Sequence, residues 1–132
     1  MKEKAVNYFK NGYSCSESII QTAVDEGLCS PDLLSCATPF CAGMMSGCVC
    51  GSVAASQMVI GYNYGRDNKF NNDMCAKEKA KEFVERFKER NKVTCCKVLR
   101  GGLEGPARKE RCSKYVADSW EILEDLVKVK VK

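Results

Sequence analysis

Residues 50–62 read Cys-Gly-Ser-Val-Ala-Ala-Ser-Gln-Met-Val-Ile-Gly-Tyr. No charge interrupts them, and the side chains are apolar or small at every helical offset. A helix built from this stretch has no polar face to offer water, so it belongs at the centre of a bundle with other helices around it. Gly43, Gly47, Gly51 and Ala55 are spaced by four, which on one continuous helix makes a smooth stripe where a neighbouring backbone approaches closely. The uncharged run extends from Leu33 to Gly65. Pro39 and five glycines lie within it, with several Ser and Cys, which makes it weak as a membrane span and points to a buried core helix.

The flanking sequence supplies the rest of the bundle. Residues 2–11 predict a short helix with Val6 and Phe9 on one side, stopped at Asn11-Gly12. Ser14-Cys15-Ser16-Glu17 has the form of a capping box, Ser14 capping the N3 amide and Glu17 reaching back. The helix it opens turns Ile19, Ile20, Ala23 and Val24 inward and ends at Gly27. Ser30-Pro31 predicts another helical turn through Leu33 and Leu34. After a polar loop from Arg66, Asp73 is a candidate N-cap for an amphipathic helix over 74–90, with Ala76, Ala80, Phe83, Val84 and Phe87 on its apolar face. Thr94 is a candidate N-cap for a short helix closed by Gly101-Gly102, and Gly105-Pro106 opens the last one. The expectation is an all-α, single-domain bundle of four to five helices over residues 1–132, with a central helix rich in small residues and a frayed tail over 126–132.

Composition excludes much of enzyme chemistry. The 132 residues include ten cysteines and no histidine. A Ser-His-Asp or Cys-His nucleophile, an imidazole-bearing zinc site and a C-x-x-C-H haem attachment are all ruled out. Special chemistry must run on sulfur, carboxylate, amine, phenol or backbone. The net charge of +4 is unevenly placed, three basic against five acidic groups up to residue 65 and eighteen against twelve beyond it. Most of these charges sit in mixed-sign stretches such as Lys77–Lys92, the pattern of a solvated helix face rather than of a nucleic-acid stripe. The first residues show no apolar secretory segment, so a reducing cytoplasm is the expected compartment, where cysteines are free thiols, metal ligands or redox groups.

The cysteines stand at 15, 29, 36, 41, 48, 50, 75, 95, 96 and 112. None are spaced C-x-x-C, which removes the thioredoxin dithiol and the zinc knuckle. Position against helix starts says more. Cys15 follows the Ser14 cap, Cys50 starts the small-residue helix, Cys95 and Cys96 follow Thr94, and Cys112 faces inward from the last helix. Free amides and the dipole at a helix start favour a thiolate, the form that soft metals, iron–sulfur clusters and disulfide exchange require. Against this, free cysteine also packs as a small apolar group, and that reading suits Cys29, Cys36 and Cys75. Tyr13, Tyr62 and Tyr64 are candidates for the mouth of a site. Met44 and Met45, close to Cys41 and Cys48, have the thioethers that Cu(I) accepts, although most buried methionines fill gaps.

Several segments agree with one family in order and spacing. Asn11-Gly12-Tyr13-Ser14-Cys15-Ser16-Glu17-Ser18, Ala37-Thr38-Pro39-Phe40, Cys50-Gly51-Ser52-Val53, Met58 to Gly65 and Cys96-Lys97-Val98-Leu99 resemble the C-GCAxxG-C-C family of proteins described as redox-active. The resemblance runs over about residues 5 to 120. Its four hallmark cysteines fall on Cys15, Cys50, Cys96 and Cys112. The chain departs from the pattern with Ser52 and Ala55 in the helix motif and with Cys41-Ala42-Gly43 where relatives have glycines. That makes Cys41 and Cys48 additions, which join Cys95 as possible further ligands.

The resemblance implies a small redox-active protein, and the four cysteines are expected to share one site that serves a redox partner protein; the charge pattern and the Gly- and Pro-broken uncharged run predict no nucleic acid and no membrane insertion. The leading expectation is an iron–sulfur cluster for electron transfer or sensing, since four thiolates from separate helices suit a cluster. The alternatives are metal-free thiol–disulfide redox through the same cysteines, as in an oxidoreductase, and a structural zinc site with four cysteine ligands. Each requires those four sulfurs to converge, within one chain or across a homodimer.

Overall fold

Helix α4, Gly51–Tyr64, is buried over much of its length. In the computed structural model, which describes the backbone of residues 1–131 and side chains through 127, seven α-helices occur. They are α1 (Lys2–Lys10), α2 (Cys15–Asp25), α3 (Leu33–Ala37), α4, α5 (Met74–Asn91), α6 (Cys96–Arg100) and α7 (Gly105–Val131). The count exceeds the expected four to five because α3 and α6, of five residues each, stand as helices of their own beside the five longer ones. The all-α class holds.

Helix α4 touches α2, α5 and α7, while α1 lies across α2 and α7. Its small residues let these neighbours come close, and Gly51, Ser52, Val53, Ala55, Ser56, Val59, Ile60 and Tyr64 are buried. The hydroxyls this buries are satisfied: Ser56 Oγ donates to Ser52 O at 2.7 Å, and Ser119 Oγ of α7 donates to Ser52 Oγ at 3.0 Å. Trp120, Phe83, Phe87, Ile19, Ile20 and Ile60 are the largest side chains wholly withdrawn from water around it.

The expected punctuation of α2 is present in full. Ser14 Oγ accepts from Glu17 N–H at 3.2 Å, and Glu17 Oε1 accepts from Ser14 N–H at 3.0 Å. At the far end Gly27, with φ +74°, lets Leu28 N–H reach Ala23 O at 2.8 Å.

Two expectations need correction. The glycine stripe is not helical, because α4 begins only at Gly51 and the chain before it turns the other way. Ala42, Gly43, Met44 and Met45 have φ of 51°, 61°, 61° and 56°, a left-handed turn closed by Cys48 N–H donating to Gly43 O at 3.0 Å. Thr94 is not the cap of α6 either. Its carbonyl accepts from Cys50 N–H at 2.7 Å, and Cys95 takes the cap position. At the C-terminus Leu126 and Val127 are buried within α7, while residue 132 and the side chains from 128 onward lie outside the described residues.

Candidate functional site

Four cysteines from different parts of the chain line one closed cavity. Cys15 is the first residue of α2, Cys50 precedes α4, Cys96 opens α6 and Cys112 lies on α7. All four are buried, and with Phe9, Ser52, Leu99, Arg108 and Tyr115 they enclose a space of about 10 Å³. That is roughly the room of one water molecule.

Local structure explains how they meet. An isolated antiparallel bridge pairs Val49 with Cys95, with Cys96 N–H donating to Cys48 O at 2.5 Å on one side and Cys50 N–H to Thr94 O on the other. It lays the Cys48-Val49-Cys50 segment against Thr94-Cys95-Cys96, so two local motifs without specific spacing become one structural unit. Two glycines let the backbone close on the sulfurs. A Cβ at Gly51 would stand 2.6 Å from Cys15 Sγ and 2.8 Å from Phe40 O, and one at Gly43 would stand 2.8 Å from Cys96 Cβ. Neither position has room for a side chain.

Burial dominates the electrostatics. It pushes the Cys15 thiol up to about 12; the Cys50 thiol adds to that, and the Ala42 N–H and the Arg108 guanidinium oppose it. Cys50 is raised by burial too, against the Ser52 hydroxyl, 3.1 Å from its sulfur, and the N–H groups of Ser52 and Val53. Burial raises Cys112 as well, and there Arg108 is the first opposing group. These cysteines therefore rest as neutral thiols at pH 7.

Arg108 is the site residue that sequence reasoning missed. It lies in the first turn of α7, where the helix dipole disfavours a cation, and its Nε is buried without a hydrogen-bond partner. Arg108, Cys15 and Phe9 also line a second, open cleft of about 300 Å³, together with Gly12, Tyr13, Glu17, Cys41, Ala42, Met45 and Lys109. A cation at a helix start was the available signal.

The remaining candidates divide. Cys41 is half-buried in the open cleft, Cys48 is exposed, and Cys95 is half-buried with its thiol 3.3 Å from Gly47 O. Cys29 belongs to the core, and Cys36 and Cys75 are exposed. Tyr13 lines the cleft, Tyr62 faces solvent, and Tyr64 is buried with its hydroxyl donating to Val127 O at 3.2 Å.

A family model matches residues 13–126, carrying the description "putative redox-active protein". The chain belongs to the C_GCAxxG_C_C family. No curated protein and no solved structure is significantly similar to it. Among the described residues no helix is long and apolar enough to cross a membrane.

Thiol donors are what an iron–sulfur cluster or a four-thiolate zinc ion takes, so the C_GCAxxG_C_C cysteines suit such a group chemically. Their arrangement does not. No group of three or more cysteines or carboxylates among the described residues is gathered closely enough to hold a metal ion, and the cavity is the size of one water. A cluster fits only after the walls move apart.

Proposed function

We propose that the protein is a thiol–disulfide redox protein that stores two electrons among Cys15, Cys50, Cys96 and Cys112. The observation that supports this most directly is the single-water cavity walled by these four side chains. Two sulfurs that join at about 2.05 Å draw such a cavity inward, whereas a multinuclear cluster demands its expansion. Cys15 is the point of entry, since it lines both the closed cavity and the open cleft. A disulfide on a partner redox protein is attacked by the Cys15 sulfur, its proton leaving to solvent. A second cavity thiol then displaces the partner. The partner gains two electrons and two protons, and the cavity is left with one disulfide. Cys50 is the resolving residue in this reading, because the start of α4 packs directly on the Cys15 sulfur, a Cβ on neighbouring Gly51 falling 2.6 Å from Cys15 Sγ. Reduced resting thiols suit a cytoplasmic location.

The all-thiol lining favours a second reading, an iron–sulfur cluster in a more open state of the same site. Anaerobic purification with metal and sulfide analysis, followed by thiol counting under a small-molecule disulfide, separates the two. Colourless protein that loses two thiols, and no longer does so in Cys50→Ser, supports disulfide chemistry. Visible absorption bands with stoichiometric iron and sulfide overturn it. Bound zinc without thiol loss overturns it as well.

A further inference from the structure

The open cleft beside Cys15 holds three sulfurs, two of them outside the four hallmark cysteines. Cys41 Sγ lies 3.5 Å from Met45 Sδ, and Cys15 lines the same cleft. Cys15 Sγ and the Cys41 backbone lie within 2.6 and 3.4 Å of one point, the position a Cβ would take on Gly51, and the Ala42 N–H next in the chain points at the Cys15 sulfur. The left-handed turn brings Met45 back over Cys41, four residues earlier, and leaves Met45 73% exposed at the cleft mouth. Three non-glycine positions of that turn, Ala42, Met44 and Met45 with only Gly43 among them, hold a conformation costing roughly 1–2 kcal/mol each.

We infer that Cys15, Cys41 and Met45 form a site for a soft monovalent cation, Cu(I). Two sulfurs sharing one metal ion at about 2.3 Å sit about 3.7–4 Å apart, close to the Cys41–Met45 separation. A thioether selects a soft ion over Mg²⁺, Ca²⁺ or Mn²⁺, which take oxygen ligands. Two thiolates and one Cu(I) leave a single negative charge. Arg108 lines the cleft and makes no ion pair among the described residues, so it offsets that charge. Lys109 is engaged elsewhere: its Nζ donates to Tyr13 O at 3.1 Å and to Phe9 O. Glu17, the one carboxylate lining the cleft, is held by Thr38 Oγ1 at 2.6 Å and by the Ser14 cap. Binding releases the protons of Cys15 and Cys41 and changes no oxidation state.

The test is X-ray absorption at the copper edge on the full chain made with selenomethionine, reduced, and given one equivalent of Cu(I) anaerobically against a competing Cu(I) chelator. A selenium neighbour to copper is expected, lost in Met45→Leu and kept in Met44→Leu. Met45 is exposed, so Met45→Leu leaves the thermal melt unchanged. Retention against the chelator falls in Cys41→Ser and persists in Cys112→Ser. Copper with sulfur neighbours alone, or a selenium signal indifferent to Met45→Leu, overturns the site. So does a first equivalent lost on Cys112→Ser, because it places the copper in the four-cysteine cavity. None of these results bears on whether that cavity forms a disulfide.

Discussion

Alanine at Gly51 isolates the close approach on which the four-cysteine cavity depends. In a helix, replacing glycine by alanine ordinarily stabilises by roughly 0.5–1 kcal/mol, because alanine has less backbone freedom to lose. At Gly51 the new methyl meets Cys15 Sγ at 2.6 Å and Phe40 O at 2.8 Å. The sulfur can rotate away, but the carbonyl belongs to the backbone of the 3₁₀ turn over Thr38–Phe40. Either that turn or the start of α4 has to move. Overpacking of this kind costs about 2 kcal/mol against a rigid backbone atom, which leaves a net loss of about 1–1.5 kcal/mol after the helix gain. With an unfolding entropy of about 2.1 cal/mol/K per residue, the melting temperature falls by about 4–5 °C. Gly61 is the internal control, since a methyl there, on the same helix, meets nothing within 4 Å. Gly61→Ala raises the melting temperature by about 2–4 °C on the same reckoning. Thermal melts of the fully reduced proteins, followed by circular dichroism, measure both. If Gly51→Ala melts at or above the parent, as Gly61→Ala does, the close packing of Cys15 against α4 is wrong.

Other consequences are equally open to measurement. The folded-state pKa of Cys15 is raised from 9.0 to about 12, so its contribution to stability is complete below pH 9 and is lost as the pH climbs toward 12. At pH 10.5 that loss is about 2 kcal/mol, read as a lower urea midpoint than at pH 8, and a midpoint unchanged over that range contradicts the burial of the thiol. Arg108→Gln removes the charge that pulls the Cys15 and Cys112 thiols down; alkylation of Cys15, followed by peptide mass mapping, slows, while that of exposed Cys36 and Cys75 does not change. Equal rates at Cys15 in the two proteins would show that the guanidinium does not act on it. Ser14→Ala breaks the capping box of α2 and costs about 1 kcal/mol, or about 3–4 °C of melting temperature. A shift under about 1 °C there means that the cap contributes nothing to holding Cys15 in place.

What the sequence discloses about this fold is what neighbouring residues decide between themselves. The capping box of α2 and the Gly27 terminus lie within a few residues of one another, and both are legible for that reason. The all-small, uncharged face of α4 is a composition property and reads equally well. The bridge between Val49 and Cys95 joins residues far apart in the chain, so Thr94 reads locally as a cap while its carbonyl serves Cys50. The left-handed turn at Ala42–Met45 is hidden for a different reason. Only Gly43 and Gly47 mark it, and the interval of four they share with Gly51 also fits a helix. Gly43 and Gly51 do serve close approach, as the small-residue pattern implied, but to Cys96 and Cys15 across a loop rather than along a helical stripe.

The same burial that hides the cysteines also shapes what they do well. A thiolate in the cavity is costly, which is why Cys15, Cys50 and Cys112 are all raised. A disulfide carries no charge, so forming one from two neutral thiols removes two electrons and two protons without placing an ion in the apolar space. The environment therefore opposes the nucleophile and tolerates both end states of the couple. The proposed exchange would be gated by the groups that favour the thiolate, the Ala42 N–H and Arg108 at Cys15, and the Ser52 hydroxyl with the Ser52 and Val53 amides at Cys50. Two of the groups acting on Cys15, the Arg108 guanidinium and the Ala42 backbone, line the open cleft, so whatever enters that cleft acts first on the one thiol shared by both spaces. In the proposed disulfide chemistry, control of the couple therefore resides in the cleft rather than among the four sulfurs themselves.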